Sequence, residues 1–262
     1  MINYKNNYQQ TKLIYKLLKG GASEPNISLL TELPSELFRE ISSYLETEET
    51  RNLINTSLYL SYLQYLKFLN LDKTHSIRYL EDNEFRDNVH EKEFNNISLN
   101  LSDCEYITDV SMLGNVHTLN LSRCYEITNV SSLGNVHTLD LSKCEGITDV
   151  SMLGNVHTLK LSACHRISDL STLGNVHTLD LTGCRGITDV SSLANVHTLN
   201  LSWCLGITDV SSLGNVHTLN LYGCREITDV SMLGNVHTLD LSRCERITEV
   251  SSLGNVHKLI LS

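Results

Sequence analysis

The sequence predicts an α/β solenoid, because one unit of twenty residues recurs almost letter for letter from about residue 96 to the C-terminus. A fixed period of this size is typical of stacked repeats. The unit is clearest between Val136 and Asn155, where Leu139 and Leu141 alternate with polar residues at the period of a β-strand. The chain's eight cysteines all occupy one position of the unit: Cys104, Cys124, Cys144, Cys164, Cys184, Cys204, Cys224 and Cys244.

Composition divides the chain into four segments. Residues 1–30 are polar and predict a flexible tail. Residues 31–66 carry apolar positions at helical spacing and predict short amphipathic helices. The charge-rich residues 67–95 predict a helical connector that also caps the apolar end of the first repeat. Residues 96–262 then hold eight complete repeats and a final strand.

The charge balance limits the classes of partner. The chain has 262 residues and a formal net charge of -10. This acidic balance argues against binding to nucleic acid or anionic lipid, since both depend on clustered Lys and Arg. No stretch reaches the roughly 18 apolar residues of a membrane-spanning helix.

The cysteines and the first residues bear on location. The first twenty residues include Lys5, Lys12, Lys16 and Lys19 and lack a continuous apolar core, so we do not expect a secretory signal there. We therefore expect an intracellular protein, cytoplasmic or nuclear, in which the cysteines are reduced thiols and not four disulfides.

The alternation within the unit also predicts the core. The side chains expected to point inward in one copy are Val116, Leu119, Leu121, Cys124, Ile127, Val130 and Leu133. Because the unit is too short for a full return helix, we predict a single 3₁₀ turn on the convex side, over Asp149-Val150-Ser151-Met152-Leu153. Asp149 is expected to cap that turn through its carboxylate. Asn115 and the neighbouring Gly are expected in a loop where positive φ, or a hydrogen bond between the Asn amide and the backbone, is useful.

The cysteine row allows a structural and a chemical interpretation. One thiol per strand could suggest a metal ladder or a redox ladder. We favour the structural interpretation, since Cys is small and well suited to burial. A zinc site would need four convergent ligands, which one Cys in every twenty residues does not supply.

A histidine row repeats once per unit as well. Stacked imidazoles could bind metal or sense acid pH, as His titrates near 6.5. We favour plain sequence duplication, with each neutral ring bonded to a neighbouring turn. The row consists of His117, His137, His157, His177, His197, His217, His237 and His257.

The unit matches the leucine-rich repeat pattern L-x-x-L-x-L-x-x-C-x-I, in the Cys-containing variety found in many F-box proteins. The resemblance implies that the strands stack into a parallel sheet on a concave face. The twenty-residue period is shorter than the usual Cys-containing unit. In this respect the chain is similar to the compact repeats of bacterial internalins.

A run of about 25 positions before the repeats resembles an F-box. It begins Leu33-Pro34-Ser35-Glu36-Leu37 and continues through Ile41 and Leu45 to Ser57. The resemblance implies an adaptor whose helices pack on the small Skp protein, which in turn is held by a cullin scaffold. The side chains that would contact Skp are Leu33, Pro34, Leu37, Ile41 and Leu45.

The two resemblances together predict a function. An F-box followed by near-identical short repeats is similar to F-box and leucine-rich repeat proteins encoded by giant DNA viruses. This implies a substrate-recognition adaptor of an SCF-type ubiquitin ligase in the host cytoplasm, with host Skp and cullin and an unknown target protein as partners. The alternative is a non-catalytic binding scaffold whose helical head only caps the solenoid.

The letters that vary between repeats are the candidates for target binding. Trp203 is the chain's single Trp, and Tyr222 lies one strand further and one position back, so the two rings are expected to adjoin. Aromatic residues and Arg are enriched in interface hot spots. Trp203 could equally be an ordinary substitution on a solvated surface. The predicted target-binding set is Trp203, Tyr222, Leu205, Arg225 and Arg185.

Two further expectations concern chemistry and assembly. The sequence contains no nucleophile–base pair, phosphate-binding Gly loop or metal motif, so we expect neither an enzyme nor a cofactor. Ile260 stands where other strands carry Asn, Asp or Lys. Either the last strand is partly covered, or its edge is used for self-association.

Overall fold

The computed structural model describes residues 68–91, 94 and 96–261. Within these residues, ten strands form one sheet in which the order in space follows the order in the chain. The predicted α/β solenoid with a period of twenty residues is thereby confirmed. The strands are β1 Phe68–Leu71, β2 Asn96–Asn100, β3 Thr118–Asn120, β4 Thr138–Asp140, β5 Thr158–Lys160, β6 Thr178–Asp180, β7 Thr198–Asn200, β8 Thr218–Asn220, β9 Thr238–Asp240 and β10 Lys258–Ile260.

The strands from β2 onward pair in parallel and in strict register. Leu119 lies beside Leu99 on one side and Leu139 on the other, so each residue faces its equivalent in the next repeat. The ladder continues past the strand ends, where the Arg123 amide donates to the Ser142 carbonyl at 2.8 Å. Identical units therefore place identical side chains in rows across the sheet.

The core lies on one side of this sheet and is made of the residues that the alternation predicted. In the second repeat, Leu119 is 1% exposed and Leu121 and Ile127 are fully buried. The complete predicted set, Val116, Leu119, Leu121, Cys124, Ile127, Val130 and Leu133, is buried. Burial of one such Leu is worth roughly 1.5–3 kcal/mol, so each repeat stabilises its neighbours mainly through apolar contacts.

A short 3₁₀ turn returns the chain to the next strand in each repeat, as the unit length predicted. The turns span Ser111–Leu113, Ser131–Asn135, Ser151–Leu153, Leu173–Asn175, Ser191–Leu193, Ser211–Asn215, Ser231–Leu233 and Ser251–Leu253. Asp149 Oδ1 accepts a hydrogen bond from the Ser151 amide at 2.8 Å. The predicted capping role of this Asp is therefore correct.

The segment before the repeats contains helix α1, Lys73–Glu81, and helix α2, Asn83–His90. By contacts the described residues divide into two compact units, one of residues 70–81 with 97–261 and one of residues 68–69 with 82–91, 94 and 96. In the first unit, Ser76 of α1 donates through Oγ to the Leu71 carbonyl and accepts from the Asn100 amide at 2.9 Å. Helix α1 is thus hydrogen-bonded to the first strands of the sheet.

Helix α2 belongs to the second unit. Its N-cap residue Asp82 accepts a hydrogen bond from the Phe85 amide at 3.0 Å, which satisfies one of the free amides of the first turn.

Strand β1 was not expected from the charged composition of residues 67–95. Its Leu69 and Leu71 are 4% exposed. Leu69-Asn70-Leu71 repeats the letters of Leu119-Asn120-Leu121, and this similarity is the signal that the charge pattern obscured.

Of the two alternatives for the loop at Asn115, positive φ is not what the structure shows. Gly114, beside it, has a φ of -65°. A Cβ at Gly114 would lie 2.3 Å from the Ser132 carbonyl oxygen, so the Gly permits close approach of the next repeat. Positive φ occurs instead just after each strand, at Arg123 with 62° and Trp203 with 60°.

Candidate functional site

Three residues beyond the end of each strand from β2 to β9 lies a residue of left-handed conformation, and this backbone positions the variable side chains. The row with positive φ comprises Asp103, Arg123, Lys143, Ala163, Gly183, Trp203, Gly223 and Arg243. Only Gly adopts this conformation without a steric cost. At Trp203 the backbone is held by the amide, which donates to the Tyr222 carbonyl at 2.8 Å. The indole is therefore attached to a backbone position that the sheet ladder fixes.

Trp203 lies against the backbone of the next repeat. A Cβ added at Gly223 would be 2.8 Å from Cε3 of the indole. Gly223 itself is buried, although it stands in a row of otherwise accessible loop residues. The absent side chain at Gly223 thus makes the space that the indole occupies.

The predicted contact between the two aromatic rings is present. The centroids of Trp203 and Tyr222 lie 5.3 Å apart at an interplanar angle of 69°, an edge-to-face arrangement. The Arg225 guanidinium carbon lies 5.6 Å from the Trp203 ring centroid. Edge-to-face pairs and cation–π contacts of this kind are each worth roughly 0.5–1.5 kcal/mol.

Sequence reasoning missed one member of the stack. The Arg243 guanidinium carbon lies 5.6 Å from the Tyr222 ring centroid. Arg243 has the same place in its repeat as Trp203, two strands along, so the register could have identified it. The stack therefore runs Arg225, Trp203, Tyr222, Arg243 and draws on three repeats.

The remaining predicted residues stand on the same loops. Arg185 and Arg225 are exposed, and Leu205 exposes 43% of its surface. All three directly follow a buried Cys of the ladder, on three successive repeats. We use the name Trp203 patch for Arg185, Trp203, Leu205, Tyr222 and Arg225.

Ion pairs beside the patch are exposed. Arg225 Nε lies 3.6 Å from Glu245 Oε1, and the two side chains are 49% and 67% exposed. Arg246 pairs with Glu226 in the same way. Exposed pairs of this kind contribute about 0–1 kcal/mol, so they orient the guanidinium groups without removing them from solvent.

The Asn and Asp row on the strands has a structural role that the variability of its letters concealed. Asn120 Oδ1 accepts a hydrogen bond from the Ser122 amide at 2.9 Å, and Asp140 Oδ1 does the same for Ser142 at 3.0 Å. Either residue type can accept this bond. The exchange between Asn and Asp therefore carries less information about a partner than the sequence suggested.

The cysteine row is a hydrogen-bonded ladder inside the core. Cys144 Sγ donates to the Leu121 carbonyl at 3.1 Å, and the contact recurs in each later repeat. All eight thiols are free and buried. Burial raises the pKa of the Cys144 thiol to about 12. Since the thiolate is the reactive form, these groups are structural, as the favoured interpretation held.

The histidine row differs from prediction in its contacts. His137 Nδ1 lies 3.3 Å from Oγ1 of Thr138, the next residue in the chain, and not against a neighbouring turn. The rings also stack, with the His117 and His137 centroids 4.6 Å apart at 11°. The strict register of the strands explains this, because it places successive imidazoles at the strand spacing.

Among residues 68–91, 94 and 96–261, no group of three or more His, Cys, Asp or Glu side chains could hold a metal ion. No helix in the same ranges is long and apolar enough to cross a membrane.

The predicted Skp contacts lie outside the described residues. This holds for Leu33, Pro34, Leu37, Ile41 and Leu45, so the F-box assignment stays a prediction. At the other end, Leu259 and Ile260 of β10 are half-buried and Leu261 is 52% exposed. Self-association through this strand also stays a prediction.

Comparisons with known proteins identify relatives in fold alone. No protein-family model matches the sequence, and no curated protein matches it. Internalin C2 of Listeria monocytogenes is 20% identical with a TM-score of 0.45, over 81% of this chain and 90% of that chain.

Two further solved structures are less similar. The functional domain of InlJ from Listeria monocytogenes, which includes a cysteine ladder, is 16% identical with a TM-score of 0.31, over 77% of this chain and 54% of that chain. A leucine-rich repeat protein of Leptospira interrogans is 16% identical with a TM-score of 0.31, over 79% of this chain and 74% of that chain. The solved structures that match include internalins and a leucine-rich repeat protein.

Proposed function

We propose that this chain is a non-catalytic protein-binding repeat protein whose Trp203 patch contacts a target protein. The observation that carries the proposal is the stack of Arg225, Trp203, Tyr222 and Arg243, which is held on a backbone fixed by the sheet. Trp, Tyr and Arg are the residue types that dominate interface hot spots. A surface that is already ordered loses little conformational entropy on binding.

We further propose that the chain is a substrate-recognition adaptor of an SCF-type ubiquitin ligase. Support comes from the F-box pattern that begins at Leu33 and includes Ile41 and Leu45. In this arrangement residues 31–66 attach to Skp and through it to cullin, and the repeats hold the target. The protein contributes position and no chemistry of its own.

The adaptor role is tested by purified Skp and the full chain carrying Ile41→Asp and Leu45→Asp. Two buried charges in an apolar contact are strongly unfavourable. We therefore expect the unchanged chain to retain Skp in a pull-down and the double variant to lose it. Circular dichroism on both proteins controls for loss of the repeat array. Retention of Skp by a folded double variant would refute the adaptor role.

That result would favour the scaffold alternative, in which the helical head only caps the solenoid. The alternative predicts that deletion of residues 1–66 unfolds the array, whereas the adaptor role predicts that the array stays folded.

The target-binding role is tested by comparing Trp203→Ala with Tyr125→Ala in affinity purification from cells. Tyr125 is a matched aromatic control, since it is 39% exposed and occupies the position equivalent to Leu205, four repeats earlier. We expect a set of proteins that is lost with Trp203→Ala and retained with Tyr125→Ala. Equal recovery with both variants would exclude the Trp203 patch as the target surface.

A further inference from the structure

The loops around the Trp203 patch have an unusual charge distribution. The segments 161–167, 181–187 and 201–207 contain Arg166 and Arg185 and no Asp or Glu, and the equivalent segment 221–227 contains Arg225 and one carboxylate, Glu226. On both sides of this stretch the same loops carry carboxylates, for example Glu145 and Glu245. A chain with a net charge of -10 therefore presents a local cationic surface at these four repeats.

The carboxylates nearest to this surface have other partners. Asp180 Oδ1 accepts hydrogen bonds from the Thr182 amide at 2.9 Å and from the Thr182 hydroxyl at 2.6 Å. Glu226, which directly follows Arg225, pairs with Arg246.

Arg225 itself meets one carboxylate among the described residues, Glu245, at the exposed 3.6 Å contact given above. A guanidinium has five N–H donors in a planar fork. Arg225 therefore keeps donors for a ligand.

The spacing of the cationic groups is set by the sheet. Arg185 and Arg225 occupy equivalent positions two strands apart, and Leu205 occupies the same position between them. Adjacent strands lie about 4.8 Å apart, which separates the two Arg positions by roughly 10 Å. A polyproline II segment advances about 9 Å in three residues and completes one turn, so side chains three positions apart point to the same side.

We propose that the Trp203 patch binds an acidic segment of the target in polyproline II conformation, with carboxylates three residues apart and an apolar side chain between them. This inference rests on the proposed target-binding role of the same surface. The two carboxylates pair with Arg185 and Arg225, for which the bidentate Arg–carboxylate geometry is well suited. The apolar side chain lies on Leu205 and the Trp203 ring.

The test uses the full chain and a fluorescein-labelled octapeptide with Glu at positions 3 and 6, Leu at position 4 and Ser elsewhere. Fluorescence anisotropy at low ionic strength should show saturable binding that weakens as salt is added, because exposed ion pairs are screened. The same peptide with Lys in place of both Glu should not bind. A peptide with the two Glu at positions 3 and 4 should bind more weakly, since it cannot span both Arg positions.

Charge-reversal variants locate the site. Arg185→Glu with Arg225→Glu should weaken binding by about tenfold or more, because both charge-assisted contacts are lost. Arg123→Glu with Lys143→Glu is the matched control, since it makes the same change of charge on the neighbouring row of loop positions outside the patch. This control should leave the affinity within about twofold, as distant exposed charges are screened.

Several results would overturn the inference. These are absence of binding by the Glu peptide, equal binding by the Lys peptide, equal loss in the two charge-reversal variants, or equal competition by an oligothymidylate, which would indicate a general polyanion surface. Failure here leaves the target-binding role standing if Trp203→Ala still removes proteins that Tyr125→Ala retains. Conversely, the Glu peptide could bind while Trp203→Ala and Tyr125→Ala recover the same proteins from cells. That result would refute the target-binding role and support the acidic-peptide site.

Discussion

The position of the Trp203 indole depends on Gly223, a residue that has no side chain. Trp203 has a φ of 60° and its indole lies over Gly223, which has a φ of 70°. Gly183 has the same backbone conformation, yet a Cβ there would meet nothing within 4 Å. A Cβ at either glycine would therefore meet the same left-handed backbone penalty, and only at Gly223 would it also meet a neighbouring ring.

This difference supplies a matched pair of substitutions. Gly183→Ala should cost about 1 kcal/mol, the left-handed penalty alone. Gly223→Ala should cost more and displace the indole, since the new Cβ would lie 2.8 Å from it. The single Trp reports this directly by its emission maximum, which should shift to longer wavelength only in Gly223→Ala. Identical spectra for the two variants would show that Gly223 does not position the ring.

For single residues, the sequence predicted which side chains lie side by side better than it predicted the backbone conformation. The proximity of Trp203 and Tyr222 follows from register alone, and so was foreseeable. The left-handed backbone at Arg123 and Trp203 was not, because neither residue type favours it. Backbone hydrogen bonds to the next repeat, beyond the strand ends, impose the left-handed conformation. These are tertiary contacts, which a local sequence pattern does not indicate.

At the scale of elements, the histidine ladder is the feature whose behaviour depends on pH. The rings from His117 to His257 stack in sequence, with centroid separations between 4.5 Å and 4.7 Å. Loss of some solvation, followed by the positive charge of neighbouring imidazoles, lowers the pKa of His157 and His197. Protonation of adjacent rings is thus opposed by the same register that stacks them.

The ladder should make stability decrease in mild acid. The folded protein has a lower pKa at His157, His197 and His237 than the ordinary 6.5 of the unfolded chain. Their contribution is therefore complete above pH 6.5 and is lost as the pH falls below that value. We expect thermal unfolding at a lower temperature at about pH 5.5 than at about pH 7.5, on either side of the ordinary titration range of His.

The matched variant replaces His157, His197 and His237 by Asn, which removes alternate rungs of the inner ladder. Its unfolding temperature should fall less between the two pH values. The turn carboxylates titrate in a separate range, since the Ser151 amide lowers the pKa of Asp149 below its usual value. An equal fall in the variant and the unchanged chain would remove the ladder as the cause.

At the scale of the molecule, each repeat contacts chiefly its two neighbours, as the pairing of each strand with the next shows. Stability in such arrays is approximately a sum of repeat and interface terms. Deletion of one whole repeat should therefore leave the array folded, whereas deletion of part of a repeat should unfold it.

Deletion of Val136–Asn155 tests this. The cut joins Asn135 to Val156, which restores the sequence of every other junction. We expect a folded protein with unchanged Trp emission and a somewhat lower unfolding temperature, measured by circular dichroism. Deletion of only Val136–Glu145 should unfold the array, because it removes a strand and leaves its turn. Equal stability of the two deletions would contradict a stack of independent units.

The global architecture was the most predictable level. The twenty-residue period and the alternation at Leu119 and Leu121 were sufficient for the strands, the core and the 3₁₀ turns. Strand β1 was missed because Leu69 and Leu71 form one imperfect copy among charged residues. Arg243 was missed because a stack across three repeats depends on side-chain directions that the period alone does not specify.

The strict register of the sheet determines how far the Trp203 patch lies from the first repeat. Inserting or losing a copy between β2 and Trp203 would move the indole along the array in steps of about 4.8 Å, with its immediate surroundings unchanged. The distance of the Trp203 patch from the first repeat and the chemistry of its contacts can therefore vary independently. The number of repeats sets the distance, and substitutions of a few loop residues change the contacts.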